Sequence, residues 1–104
     1  MASPSPVTLI NSFEVPEGRV DECLALWREA AAVLKRQPGY IATHLHRSLN
    51  PKAKYALVNV AQWETAEHFM KAVATPEFQA VAAKFGDFPH EPSLYTVADD
   101  ASDL

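Results

Sequence analysis

Residues 58 to 69, VNVAQWETAEHF, hold the hand-over from a strand to a helix. Up to Trp63 they belong to the apolar stretch YALVNVAQW (55 to 63), which reads as a strand. Thr65 then offers an N-cap to a helix carrying Ala66, Phe69, Met70 and Val73 on one face. The strand also contains an amide and an indole. Asn59 and Trp63 are four residues apart, so on a strand they point to one face, together with Tyr55, Leu57 and Ala61.

Upstream, VTLINSFEV (7 to 15) alternates Val7, Leu9, Asn11, Phe13 and Val15 against Thr8, Ile10, Ser12 and Glu14, which predicts a strand ended by PEG. From Val20, apolar residues recur at Cys23, Leu24, Trp27, Ala31 and Leu34, an amphipathic helix that stops before Pro38-Gly39. YIATHLHRS (40 to 48) is a second strand and LNPKAK a turn. Downstream, Thr75 caps a helix with Pro76 in its first turn, where the missing N–H costs nothing. Phe78, Val81, Ala82 and Phe85 follow at helical spacing, and Gly86 stops the run. Pro89 and Pro92 mark a loop before the fourth strand, SLYTVA (93 to 98).

The order is β-α-β-β-α-β, with the second helix split. Right-handed crossovers make this an α+β, ferredoxin-like protomer: a four-stranded antiparallel sheet with its helices on one face. One domain is expected over residues 6–98, with flexible termini at 1–5 and 99–104. The helices cover only one sheet face. Leaving Ile10, Val58 and Val60 in water would forfeit ~1.5–3 kcal/mol per large side chain, so a homodimer through the uncovered face is expected.

Composition removes several function classes. A chain of 104 residues, 48% hydrophobic and 21% charged, has room for one modest core and is not a disordered type. With a net charge of -4 and scattered basic residues, neither nucleic acid nor a membrane surface is an expected partner. Cys23 is the only cysteine, which excludes an internal disulfide and a cysteine-rich metal knuckle. No apolar run approaches the ~20 residues of a membrane span. MASPSPV lacks the features of a secretory signal, so a cytoplasmic protein is expected. Three glycines, at 18, 39 and 86, cannot build a phosphate loop or nucleotide fingerprint, and no Ser-His-Asp order appears. The expectation is no flavin, no nicotinamide and no other cofactor.

An amide buried without a partner costs about 1–3 kcal/mol, so Asn59 must bond a neighbouring strand, water or a ligand. It is either a satisfied core asparagine or part of a site, and Trp63 is either plain core or part of the same site. Four strand steps of ~3.3 Å put the two ~13 Å apart, room to bracket a flat molecule of two or three fused rings. Asn11 repeats the oddity between Leu9 and Phe13 on the first strand, which neighbours the third in this topology. His44 and His46 share a face of the second strand; they are solvated histidines or the start of a metal site that nothing nearby completes. His68, early in the second helix, and His90, in the FPHEP loop, are groups that act as bases near neutral pH.

INSFEVPEG (10 to 18), QPGYIATHLHRS (37 to 48), VNVAQWETAEHF and TPEFQAV (75 to 81) together resemble the antibiotic biosynthesis monooxygenase family over residues 6 to 98. The resemblance implies a dimeric α/β barrel of ferredoxin-like protomers. Asn59, Ala61, Gln62, Trp63 and Glu64 look like the N-x-AQWE segment of a branch that oxidises polycyclic phenols to quinones without a cofactor, and whose Asn and Trp line the substrate cavity. That branch's cavity tyrosine falls on Phe69 here and its arginine near Ala82. A second branch degrades haem with a first-strand Asn, the same Trp and a His ligand. Asn11 and Trp63 resemble the first two, but the ligand position falls near Ala82 in a helix with no histidine, and haem iron needs an axial donor.

The expected function is oxygen insertion into an electron-rich aromatic or phenolic substrate with O2 and no metal or cofactor. Asn59 and Trp63 would be catalytic. Asn11, Phe69, Tyr55, His44 and His46 would bind substrate, with the last two the nearest candidates for a base. The rival is a non-catalytic dimeric module that holds a hydrophobic metabolite; a haem-binding or haem-degrading relative stands third.

Overall fold

The structure, a computed structural model, describes residues 6–101. Of the termini expected to be flexible, 1–5 and 99–104, all but 99–101 lie outside the described residues. The elements run β1 (Val7–Phe13), α1 (Val20–Leu34), β2 (Tyr40–Arg47), β3 (Leu57–Trp63), α2 (Ala66–Val73), α3 (Pro76–Ala82), a 3-10 turn (Ala83–Phe85) and β4 (His90–Tyr95). The strands form one four-stranded sheet in the order β2-β3-β1-β4, every neighbouring pair antiparallel. This is the expected α+β ferredoxin-like arrangement.

Local chemistry accounts for most of the boundaries. Thr65 and Thr75 each accept a backbone N–H three residues on, from His68 at 3.0 Å and Phe78 at 3.2 Å, and so cap α2 and α3. α1 starts without a side-chain cap; Asp21 and Glu22 face the positive end of its dipole instead. Arg19 anchors that end, pairing with Glu22 at 2.8 Å and Asp87 at 3.4 Å while its guanidinium lies 4.7 Å from the centre of the Phe88 ring.

One expectation is corrected. β4 begins at His90 and ends at Tyr95, not at 93 and 98, so Pro92 lies inside a strand and His90 is not in a loop. β4 is a sheet edge, where a residue without an N–H is tolerated on the solvent side. Gly86 ends the helical run as expected, as the C-cap of the 3-10 turn, and does so at φ -54° without the left-handed conformation. Gly39 does use that freedom, at φ +88°, and a Cβ there would lie 2.3 Å from Cγ of His68.

The sheet's helix-facing side is the buried one. Along β3, Leu57, Asn59, Ala61 and Trp63 are buried while Val58, Val60 and Gln62 are half-buried on the far face. The core falls into two clusters: Phe13, Leu57, Cys23, Ala30, Phe85 and Phe88 in one, and Leu9, Ala61, Trp63 and Ala72 in the other. The register explains the division. Phe13 pairs with Leu57 and Leu9 with Ala61, and the row between them is Asn11 opposite Asn59. A polar row thus separates two apolar ones. Among the described residues no helix is long and apolar enough to cross a membrane.

Candidate active site

A cavity of about 190 Å³ sits on that polar row. Asn11 and Asn59 form its sheet-side floor; Leu9 and Phe13 flank them, and Leu34, Phe69, Val73, Phe78 and Phe85 close it from the helical layer. His90 and Pro92, both exposed, complete the lining and place its mouth at the β4 edge. An apolar hole of roughly 150 Å³ takes up benzene, whereas sites for drug-sized ligands start at about 300 Å³. The enclosed part therefore suits one or two aromatic rings, and a longer fused system would project past His90.

The two amides differ in what they have left to give. Thr43 on β2 donates its hydroxyl to Oδ1 of Asn59 at 2.7 Å. With its oxygen held, the planar Asn59 amide keeps both N–H donors for another partner. Asn11 is the complement: its Oδ1 is buried and, among the described residues, accepts no hydrogen bond. One free donor group and one free acceptor thus stand on directly opposed residues of neighbouring strands, about 5 Å apart at Cα.

Trp63 lies further along the same face. Its indole is fully buried, edge-on to Tyr40 at 5.7 Å and to Phe69 at 5.6 Å between centroids. It lines a separate void of about 30 Å³, room for one water-sized molecule, with Tyr40, Thr43, Asn59 and Ala61. Its Nε1 has no hydrogen-bond partner among the described residues. Asn59 is common to both spaces, and Phe69 touches the indole on one side and the larger cavity on the other. The indole thus reaches the cavity through these two residues and is not part of its wall.

Three expected site residues lie elsewhere. His44 pairs with Val60 and His46 with Val58, so both project from the uncovered sheet face, opposite the cavity. Tyr55 precedes β3 rather than extending it, and its hydroxyl donates to Glu91 at 3.2 Å. None of the three lines either space. His68 is engaged at the α2 cap, its Nδ1 2.7 Å from Oγ1 of Thr65 and its ring over Gly39.

One contributor escaped the sequence reading and another was misplaced by it. Thr43 was hidden by a register shift between Tyr40 and Ala42: plain alternation would put Tyr40 and Thr43 on opposite faces, yet they pair with Trp63 and Ala61 on one. His90, named from the sequence as a group able to act as a base, was put in a loop because of its flanking prolines and in fact opens β4. Cys23 is fully buried, and burial pushes its thiol up from the ordinary range, which suits an inert core residue rather than a nucleophile.

A two-layer ferredoxin-like protomer with a paired-amide cavity between sheet and helices is the class that fold and site define. Residues 6–84 match the Antibiotic biosynthesis monooxygenase family, and the chain belongs to it. Over 72 residues, 69% of this chain, it is 35% identical to deoxynogalonate monooxygenase of Streptomyces nogalater; the match spans 58% of that protein's length. The crystal structure of SnoaB, a cofactor-independent oxygenase from Streptomyces nogalater, superposes with a TM-score of 0.81 at 28% identity, covering 94% of this chain and 98% of that one. A Shewanella loihica PV-4 protein superposes with the same TM-score, 0.81, at 33% identity over 92% of this chain and 97% of that one. The chain is thus related to proteins described as monooxygenases and oxygenases.

Proposed function

We propose that the protein is a cofactor-independent monooxygenase acting on a small phenolic or hydroxyketone aromatic. The observation that carries this is the opposed amide pair: an unpartnered buried acceptor on Asn11 beside the free donors of Asn59, at the floor of an otherwise apolar cavity. Leaving Asn11 Oδ1 bare costs about 1–3 kcal/mol, which a ligand hydroxyl would recover. Asn59 would donate to the adjacent carbonyl oxygen and hold it as negative charge develops there, a contribution worth about 3–4 kcal/mol per donor elsewhere.

The ionised substrate passes one electron to O2, and the resulting radical pair joins to form a carbon–oxygen bond. Protonation gives a hydroperoxide. Loss of water, with cleavage of the O–O bond and removal of the remaining C–H proton, leaves a ketone; overall CH2 plus O2 becomes C=O plus H2O. Phe69, Phe78 and Phe85 keep the carbanion dry, and Trp63 supports the wall through Phe69. Phe69 has no hydroxyl to offer the substrate, so polar recognition rests on the asparagines and the β4 edge.

The working unit is proposed to be a homodimer through the uncovered sheet face, where Ile10, Val58 and Val60 are only half-buried. Oxygen uptake by the purified protein with dihydroxyanthrone and dihydroxynaphthalene, in the presence of a chelator, tests the activity. Saturable uptake with a quinone product supports it. Tight binding of the same compounds with no uptake above the buffer rate would leave the binding-module reading in its place.

A further inference from the structure

We propose that His90 is the base of this site, taking the substrate's acidic proton on Nε2; the proposal rests on the monooxygenase reading above. Among the described residues His90 is the one ionisable side chain in the lining of the 190 Å³ cavity. Its position follows from the register. His90 pairs with Phe13 on β1, two residues from Asn11, and Asn11 pairs with Asn59 on β3. The three polar groups therefore step across neighbouring strands β4, β1 and β3, with His90 on the diagonal about 7–8 Å from Asn11, a span that one aromatic ring bridges.

In its neutral form the ring is held in one tautomer. Nδ1 lies 2.9 Å from the carbonyl oxygen of Phe88. A carbonyl only accepts, so Nδ1 carries the proton and Nε2 of the neutral ring presents a lone pair. The Phe13 and Phe85 rings pack against the imidazole at 5.5 and 5.9 Å between centroids and fix its plane. They are also what faces it from β1 and from the 3-10 turn, and neither carries charge. Of the charged side chains next to it in the chain, Asp87 is paired with Arg19 and Glu91 accepts from Tyr55.

The step balances without a redox partner. The substrate's O–H, or the C–H of its keto tautomer, breaks; an N–H forms at Nε2; the electron pair stays on the substrate as the anion that O2 then oxidises. The imidazolium gives that proton to the peroxide anion to form the hydroperoxide. The freed Nε2 then takes the remaining C–H proton as the O–O bond breaks and passes it to the departing hydroxide, which leaves as water. An exposed histidine at the cavity mouth can exchange protons with solvent between turnovers.

The test separates this step from the oxygenation. Dihydroxyanthrone is bound under argon and its absorption spectrum read for the anion, using wild type, His90→Gln and His90→Asn. The Asn variant keeps a donor where Nδ1 meets the Phe88 carbonyl and deletes Nε2, so a purely structural role would leave it like wild type. The expected result is bound anion in wild type and bound neutral phenol in both variants, with Kd within about threefold. Admitting air then shows kcat lower by about 10²–10⁴-fold in both variants, the usual range for a lost general base. Anion in wild type alone but no oxygen uptake by any form would keep the base and end the monooxygenase reading. Anion on either variant, or neutral phenol or no binding on wild type, would overturn the proposal.

Discussion

The Thr43–Asn59 hydrogen bond offers a test of the site that needs no knowledge of the natural substrate. Its 2.7 Å length is the optimum for an O–H···O bond, and Asn59 is only 7% exposed. Thr43→Val removes the donor at nearly constant volume and leaves the Asn59 oxygen buried and bare, a loss of about 1–3 kcal/mol. For a domain of this size each kcal/mol lowers Tm by about 4–8 °C. Asn59→Ala removes the acceptor instead. In the double variant neither polar group is stranded, so its destabilisation should fall short of the sum by about 1 kcal/mol or more.

Rates should follow the same pattern. Asn59→Ala loses the oxyanion donor and should slow oxygen uptake about 10²–10³-fold. Thr43→Val leaves the amide in place but unheld, and a bond worth about 0.5–1.5 kcal/mol corresponds to a loss of about 2- to 12-fold. In the Asn59→Ala background, Thr43→Val should cost nothing further. Thermal melts give the stability cycle and an oxygen electrode the kinetic one. Additivity within about 0.3 kcal/mol in both would mean that Thr43 acts by packing and does not orient Asn59; a loss below tenfold in a folded Asn59→Ala protein would remove Asn59 from the chemistry.

Other perturbations have equally definite outcomes. Gly39→Ala meets the His68 ring and a positive φ, so it should destabilise by at least the ~1–2 kcal/mol of the backbone alone, while Gly86→Ala, at a helical φ with nothing closer than 3.9 Å, should be neutral or slightly stabilising; urea midpoints compare them. Glu22's carboxyl is held below its usual range by hydrogen bonding to Arg19, so its contribution is full at neutral pH and is lost as pH falls through the lowered value. The gap in Tm between wild type and Glu22→Gln should therefore close in acid, and shrink in high salt because the pair is exposed. Val60→Glu, placing charge at the centre of the uncovered face, should give a protomer mass by light scattering at micromolar concentration where wild type gives twice that.

Alternation, helical spacing and the capping threonines made the element order and the ferredoxin-like class legible before any coordinates. These are local signals: Thr65 and Thr75 bond backbone three residues away, and the 3.6- and 2-residue periods need only a buried side. The same patterns marked Asn11 and Asn59 as polar groups in apolar rows. Where His90 belongs was not legible, because a proline reads as a loop unless the strand is known to be an edge, and edge position is a property of the whole sheet.

Residue order alone determined which amino acids are polar misfits and on which strand each one sits. The tertiary structure decided what they meet. Register puts Asn11 opposite Asn59, a shift in β2 turns Thr43 toward the Asn59 oxygen, and pairing with β3 turns His44 and His46 to the outer face. Each of these depends on contacts between residues far apart in the chain, where a slip of one position reverses every side chain, and no local preference specifies such a choice.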